Sequence, residues 1–159
     1  RVHILNPGTG VGGHCIAVDP WFIVSEFPKE SSLIKKSRET NNYKTNWVLE
    51  KIKNEALVFK ANKSKDPVIA CMGLAFKPDI DDLRESPALF VAESLEKQGF
   101  NVLAVEPNLS ENKDRKLTNY NHAVNQADII VYLVAHNEFN NLEIDSKKIV
   151  LDFCGVLKK

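Results

Sequence analysis

Residues 67–106 carry the clearest structural signal in this chain, and they read PVIACMGLAFKPDIDDLRESPALFVAESLEKQGFNVLAVE. The first eight form a short apolar run with a glycine near its end, which is typical of a strand buried on both faces of a parallel sheet. Ser86 and Pro87 are a favourable N-cap and first residue for a helix, and Gly99 is a favourable end. A second apolar run follows at 101–106. This order predicts two parallel strands joined by a crossover helix.

The same alternation continues to the end of the chain. A short helix is predicted over 121–127, and further buried strands over 128–134 and 148–153. We therefore expect residues 66–159 to form an α/β domain, a Rossmann-like parallel sheet with flanking helices.

The first part of the chain has a different character. Residues 1–20 are rich in Gly and Pro, which predicts a loop. Over 31–59, apolar residues recur at every third or fourth position, which predicts one long connecting helix of about 40 Å. A small domain cannot cover such a helix completely, so we expect it to connect two domains or to pack against a partner. Residues 1–65 are thus expected to precede the sheet as a separate unit.

Composition excludes several classes of function. The 21 basic and 21 acidic residues cancel, so the chain has no charge excess for nucleic acid or an anionic membrane. No apolar run approaches the roughly 20 residues that span a bilayer. Three widely spaced cysteines without a C-x-x-C pair argue against zinc and fit a reducing cytoplasm. The sequence starts without an initiator Met or a signal peptide, and we expect its first residues to come from the middle of a longer chain.

A glycine-rich run near the start imitates a dinucleotide-binding motif. Gly8 to Gly13 match G-x-G-x-x-G, but that motif requires a strand before it and a helix after it. Only five residues follow before Asp19 and Pro20, too few for the helix that would hold a pyrophosphate. The strand that begins at 67 offers only Gly73 where three glycines are needed. Neither place is expected to bind NAD.

The segment Gly12-Gly-His-Cys-Ile-Ala-Val-Asp19 contains the most reactive side chain. A substrate can approach Cys15 in a tight glycine loop, and Asp19 can position water or accept a proton. A buried structural cysteine, followed by an aspartate that caps the next helix, explains the same residues and is favoured when they are taken alone. His14 could tune the thiol or contact a substrate, and its role stays open.

Two motifs together resemble one enzyme family. Residues 12–20, GGHCIAVDP, resemble the G-G-x-C-x-x-x-D signature of the UDP-glucose/GDP-mannose dehydrogenase family. Residues 73–86, GLAFKPDIDDLRES, resemble its G-x-A-F-K-x-x-x-x-D-x-R-E-S block. The order of the motifs and the long helix between them extend the resemblance to essentially the whole chain. It implies the C-terminal part of a nucleotide-sugar 6-dehydrogenase, with NAD bound mainly upstream of this chain and a homodimer formed through the long helix.

The resemblance also implies the chemistry and the residues that carry it. The sugar C6 alcohol is oxidised to the aldehyde and then to the acid with two NAD. Cys15 forms a thiohemiacetal and then a thioester, and Asp19 helps to activate the water that hydrolyses it. Arg84 would reach the cofactor. The positions that match substrate contacts are Gly12, Gly13, Phe76 and Lys77. Some members carry a basic ligand contact after the last strand, and residues 152–156, DFCGV, contain none.

No metal site is expected in this chain. Asp79, Asp81 and Asp82 precede a helix, where carboxylates stabilise the helix dipole, and Arg84 would offset their charge. This explanation is simpler than a metal site.

Other reactive residues are assigned structural roles. His136 is expected to make loop hydrogen bonds, and Glu106, at the place where a Rossmann fold holds a ribose, to be structural. Cys71 and Cys154 are expected to be inert in or beside buried strands. Arg1 could contact the sugar of its own protomer or that of a dimer partner.

Three alternatives remain at this stage. The enzyme could act on UDP-glucose or UDP-N-acetylglucosamine. The chain could be a non-catalytic module for nucleotide-sugar binding or dimerisation. A cysteine hydrolase would need a histidine placed to activate the thiol.

Overall fold

The computed structural model describes residues 5–109 and 115–158. A four-stranded parallel sheet has the order β2-β1-β3-β4. The strands are β1 (Val68–Met72), β2 (Asn101–Val105), β3 (Ile129–Tyr132) and β4 (Ile149–Asp152), and the helices are α1 (Asp19–Glu26), α2 (Ser32–Lys63), α3 (Pro87–Lys97) and α4 (Tyr120–Gln126). Two 3₁₀ helices cover Asn137–Phe139 and Val156–Lys158. The predicted α/β fold and its four strands are confirmed.

The connection from β1 to α3 forms as its residues predict. Ser86 caps α3 by accepting a hydrogen bond from the Leu89 N–H at 3.3 Å. The same hydroxyl donates to the Leu74 carbonyl at 2.6 Å, just beyond β1. Pro87 occupies the first turn, and Gly99 follows the helix with a φ of +83°, a conformation that suits glycine. The cap therefore joins the start of α3 to the end of the first strand.

Apolar side chains fill both faces of the sheet. Burying each large one stabilises the fold by about 1.5–3 kcal/mol. Helices α2 and α3 cover one face, and α4 with the 3₁₀ segment near Phe139 covers the other. The large side chains that are completely buried include Ile52, Ile69, Met72, Leu74, Leu95, Ile129, Ile130, Tyr132 and Phe139.

The second half of α2 belongs to this core. The small domain was expected to leave part of this long helix uncovered, but the stripe of Val48, Ile52 and Ala56 is buried against the sheet domain of this same chain, because the helix packs along α3. That stripe needs no partner, so it gives no reason for a homodimer. Large apolar side chains of α2 that remain exposed are Leu33, Tyr43, Trp47, Leu57 and Val58.

Helix α1 begins within the segment for which the sequence predicted a loop. That loop was expected to extend to residue 20, but the helix starts at Asp19 with Pro20 in its first turn. It buries none of its side chains, and its exposed apolar residues are Trp21, Phe22 and Ile23. Among the described residues, no helix combines the length and apolar character required to cross a membrane.

Candidate active site

A cavity of about 490 Å³ opens at the carboxyl end of the sheet. Residues 5–12 form one wall, residues 75–78 after β1 form another, and residues 133–135 follow β3. Cys154, after β4, also lines the cavity. Ligands of open parallel sheets bind outside this edge. Phe76 and Lys77 therefore face the same cavity as the glycine-rich segment, although the two were singled out from separate motifs.

Residues 8–15, called here the cysteine loop, are anchored to α2 and β3. The Val11 N–H donates to Asn41 Oδ1 at 2.9 Å, and Asn41 Nδ2 donates to the Val11 carbonyl at 3.4 Å. Thr45 donates to the Thr9 carbonyl at 3.2 Å, and the buried Thr9 hydroxyl donates to the Leu133 carbonyl at 2.8 Å. Sequence reasoning missed these anchors. The available signal was a pair of polar residues one turn apart, beside the apolar stripe of α2.

The two glycines before the histidine allow a close backbone contact. A Cβ atom on Gly12 would lie 2.3 Å from the Glu85 carbonyl oxygen and 2.9 Å from Phe76 Cβ. Gly13 has a φ of +90°, and a Cβ there would lie 3.0 Å from the Phe76 ring. Its N–H donates to the Arg84 carbonyl at 3.1 Å. The glycines thus let the cysteine loop pack against residues 76 and 84–85, a packing role that the sequence did not indicate.

Cys15 is a free, exposed cysteine. Its carbonyl accepts hydrogen bonds from the N–H groups of Val18 at 3.0 Å and Asp19 at 2.8 Å, and this turn starts α1. The Asp19 side chain is exposed, and the N-cap of α1 is Val18. The alternative of a buried cysteine followed by a capping aspartate is therefore wrong. His14 is exposed beside the thiol, and Arg1 lies outside the described residues.

Arg84 lies between the cysteine loop and an acidic partner. Its Nε and NH2 groups donate to the Asp82 carboxylate at 3.0 and 2.6 Å. These hydrogen bonds lower the pKa of Asp82 to about 2. The pKa of Arg84 is raised, mainly by Asp82 and also by the nearby Cys15. The expected charge compensation is confirmed for Asp82, and 62% of the Arg84 side chain is exposed near Cys15.

Phe76 links the cysteine loop to the cavity. Its ring packs against Gly13, and it lines the cavity together with Lys77. The Lys77 ammonium lies 5.7 Å from the centre of that ring and is exposed. Within 5–109 and 115–158 it makes no ion pair, so its charge is available to a ligand at the cavity mouth.

Glu106 and His136 are buried beneath this edge of the sheet. Burial raises the pKa of the Glu106 carboxyl, but hydrogen bonds from His136 and from the N–H groups of Leu74 and Asn108 outweigh it. The net result is a lowered pKa, so Glu106 is a buried carboxylate. The structural roles expected for both residues are confirmed.

One cluster has the composition of a metal site. Ligand atoms of Asp79, His136 and Glu138 lie within 4.8 Å of one another. His136 Nδ1 already accepts the Asp79 N–H at 3.0 Å and lies 2.9 Å from Asn108 Nδ2. Because this nitrogen is occupied and the other faces Glu106, the imidazole has no free lone pair for a metal.

The remaining cysteines are in environments that suppress reactivity. Burial raises the pKa of the Cys71 thiol to about 12. Burial raises the pKa of the Cys154 thiol to about 12, and the negative charge of Asp152 is the second cause. The Asp152 carboxylate itself accepts the N–H groups of Cys154, Gly155 and Leu157 at 2.7–3.0 Å. The Asp152 carboxylate therefore holds the segment after β4. Some members of the family that the chain resembles carry a basic residue in this segment that contacts a ligand.

Neither of the two glycine-bearing turns considered above holds the backbone of a dinucleotide-binding motif. The glycine-rich run enters the turn at Cys15, so its N–H groups are not the start of a phosphate-binding helix. After β1, the N–H groups of Leu74 and Ala75 are occupied by Glu106. An NAD pyrophosphate has no backbone cradle in either place.

Comparison with known proteins identifies both parts of the chain. Residues 70–159 match the UDP binding domain of the UDP-glucose/GDP-mannose dehydrogenase family, and residues 1–43 match its central domain. A UDP-N-acetyl-D-mannosamine dehydrogenase from Campylobacter jejuni is 48% identical over 97% of this chain and 38% of its own length. An NDP-N-acetyl-D-galactosaminuronic acid dehydrogenase from Ralstonia nicotianae is 45% identical over 98% of this chain and 37% of its own length.

The fold has the same relatives. A solved structure of UDP-D-ManNAc dehydrogenase from Pyrococcus horikoshii aligns with a TM-score of 0.78 and 32% identity, over 98% of this chain and 38% of that one. The chain thus spans about two fifths of the length of the proteins it matches. Because the UDP binding domain matches more than half of the residues of this chain, the chain belongs to the UDP-glucose/GDP-mannose dehydrogenase family.

Proposed function

We propose that this chain is the C-terminal part of an NAD-dependent UDP-N-acetyl-D-mannosamine 6-dehydrogenase, which forms UDP-N-acetyl-D-mannosaminuronate. The observation that carries the proposal is an exposed thiol, Cys15, on a loop that also lines the cavity of Phe76 and Lys77. The names of the relatives support an N-acetylated UDP-sugar as substrate. NAD, which would be bound mainly by the part of the protein that precedes this chain, would supply the hydride acceptor for both oxidations.

The role of the thiol follows from its chemistry. The sulfur of Cys15 attacks C6 of the aldehyde intermediate, a C–S bond forms, and the aldehyde oxygen gains a proton. Loss of a hydride from C6 and of the hydroxyl proton from this thiohemiacetal gives a thioester. Water then breaks the C–S bond, which releases the acid and restores the thiol. Asp19, one helical turn from the thiol and equally exposed, is proposed to help activate that water.

The remaining side chains bind and orient. Phe76 and Lys77 are proposed to contact the nucleotide sugar, with the ammonium acting as a point charge for its oxygens. Gly12 and Gly13 are proposed to lie close to the sugar, and Arg84 to reach the cofactor with its exposed edge. This chain alone is proposed to be inactive, and the full-length protein to be a cytoplasmic homodimer.

A panel of UDP-sugars tests the proposal. The full-length enzyme is incubated with NAD and UDP-N-acetyl-D-mannosamine, UDP-glucose or UDP-N-acetylglucosamine, and NADH is measured by absorbance. We expect the highest kcat/KM with the mannosamine derivative and two NADH for each sugar. A preference for another sugar overturns the substrate assignment. Two NADH per sugar from the Cys15→Ala variant overturns the covalent mechanism.

A further inference from the structure

The segment that carries Phe76 and Lys77 is held at both ends by buried side chains. At its start, Glu106 Oε2 accepts the N–H groups of Leu74 at 2.7 Å and Ala75 at 2.8 Å. Residues 74–79 are called here the sugar loop. The Glu106 side chain is completely buried, so water competes little for its carboxylate, and hydrogen bonds to an ionised acceptor are about twice as strong as neutral ones.

His136 holds the other end of the sugar loop. Its Nδ1 accepts the Asp79 N–H at 3.0 Å, and the ring is completely buried. Asp79 has a φ of +60°, a conformation that costs a non-glycine residue free energy and needs local support. Additional support comes from Asn137, whose N–H and side-chain amide donate to the Asp79 carboxylate at 2.9 and 2.6 Å.

The two ends are joined to each other. Glu106 Oε2 and His136 Nε2 are 3.1 Å apart. Because Nδ1 accepts a backbone N–H, which cannot act as an acceptor, the ring proton lies on Nε2 and is donated to the carboxylate. One buried chain of hydrogen bonds therefore runs from Leu74 through Glu106 and His136 to Asp79, beneath the two side chains that line the cavity.

We infer that Glu106 and His136 are positioning residues that fix the sugar loop for ligand binding. Neither touches the cavity, so they act through the backbone on either side of Phe76 and Lys77. The effect on ligand binding rests on the proposed function, whereas the effect on the loop's backbone does not.

Two substitutions of His136 separate the two ends. His136→Gln places its amide near the position of Nε2 and keeps a donor for Glu106, but it loses the acceptor for Asp79. His136→Asn places its amide near Nδ1 and does the reverse. Glu106→Gln keeps the shape and removes the charge. The matched control is Glu138→Gln, because Glu138 is an exposed carboxylate in the 3₁₀ helix next to His136.

Amide hydrogen exchange on the full-length protein gives the direct test. We expect at least about tenfold faster exchange at Asp79 in His136→Gln, and at Leu74 and Ala75 in Glu106→Gln, since exchange requires these hydrogen bonds to open. Glu138→Gln should exchange at the wild-type rates. If both His136→Gln and Glu106→Gln exchange at the wild-type rates across residues 74–79, the inference is overturned.

Steady-state kinetics then tests the consequence for binding. His136→Gln and Glu106→Gln should each raise the KM for the UDP-sugar by about tenfold, with a much smaller change in the KM for NAD. Alkylation of Cys15 by iodoacetamide should keep its wild-type rate, because the cysteine loop has other anchors. Equal losses for both substrates, or slower alkylation, would indicate general destabilisation and overturn the positioning role. If the wild-type protein oxidises no UDP-sugar, the proposed function fails, and exchange alone decides the inference.

Discussion

Replacing Gly12 by alanine should displace the cysteine loop. The new Cβ would lie 2.3 Å from the Glu85 carbonyl oxygen, and Cβ atoms essentially never approach a heavy atom closer than 3.0 Å. The two segments must therefore separate by at least roughly 0.7 Å, the difference between those distances. The new Cβ would also lie 2.9 Å from the Cβ of Phe76. This atom and the Glu85 carbonyl oxygen are both fixed to the backbone, so no flexible side chain can move aside.

The size of the effect follows from this displacement. Overpacking of a close contact typically costs about 1–3 kcal/mol. A misplacement of about 1 Å in a reacting group can lower a rate about a hundredfold. Cys15 lies three residues along the same loop. We therefore expect Gly12→Ala to lower kcat/KM for the UDP-sugar by about one to two orders of magnitude, with a measurable fall in the melting temperature.

Gly8→Ala is the matched control. It introduces the same methyl group into the same loop, where no heavy atom lies within 4 Å and φ is not in the left-handed region. Its kcat/KM should stay close to that of the wild type, and its stability should not fall. The assay measures NADH formation and thermal unfolding of the three full-length proteins. If Gly12→Ala has the kinetics and melting temperature of Gly8→Ala, the cysteine loop does not pack against residue 85 as described.

Four further predictions concern the anchors, the ligands and the assembly. Asn41→Ala should lower kcat at least about tenfold by freeing the cysteine loop, while Asn42→Ala, an exposed neighbour on α2, should not; equal kinetics would contradict the anchoring role. Lys77→Ala should raise the KM for the UDP-sugar about ten- to a hundredfold, whereas Arg84→Ala should mainly raise that for NAD, and the reverse pattern would refute the assigned roles. Calorimetry of this chain alone should detect no micromolar binding of NAD. Light scattering should detect a dimer if the exposed apolar residues of α2 contact a second copy, and only monomer at high concentration would argue against it.

Local patterns were sufficient for most of the fold. The four strands are short apolar runs with polar or glycine boundaries, and the sheet follows from their alternation with helices. Helix α3 was predictable at both ends because Ser86 and Gly99 act within a few residues of sequence. The start of helix α1 was not predicted, since its eight residues bury no side chain and the preceding glycines indicate a loop.

The supports of the site could not be predicted because they are contacts between distant segments. Asn41 and Val11 are 30 residues apart, and Glu106 and Leu74 are 32 apart. An asparagine in a helix or a glutamate after a strand has many possible partners, and only the fold selects one. The same limit explains the stripe on α2: periodicity predicts an apolar face, but it does not say whether the same chain or a partner covers that face.

The chain contains both sequence features of a dinucleotide fingerprint, and each has another role. In a dinucleotide-binding fold, the glycines after the first strand admit a pyrophosphate, and an acid after the second strand binds a ribose. Here Gly12 and Gly13 admit the backbone of residues 84–85 and the Phe76 ring to the cysteine loop. Glu106 turns inward and occupies the N–H groups beyond β1 with a carboxylate from the chain itself. Both features therefore support the cysteine loop and the sugar loop, and in neither place do the backbone N–H groups remain free to hold a pyrophosphate.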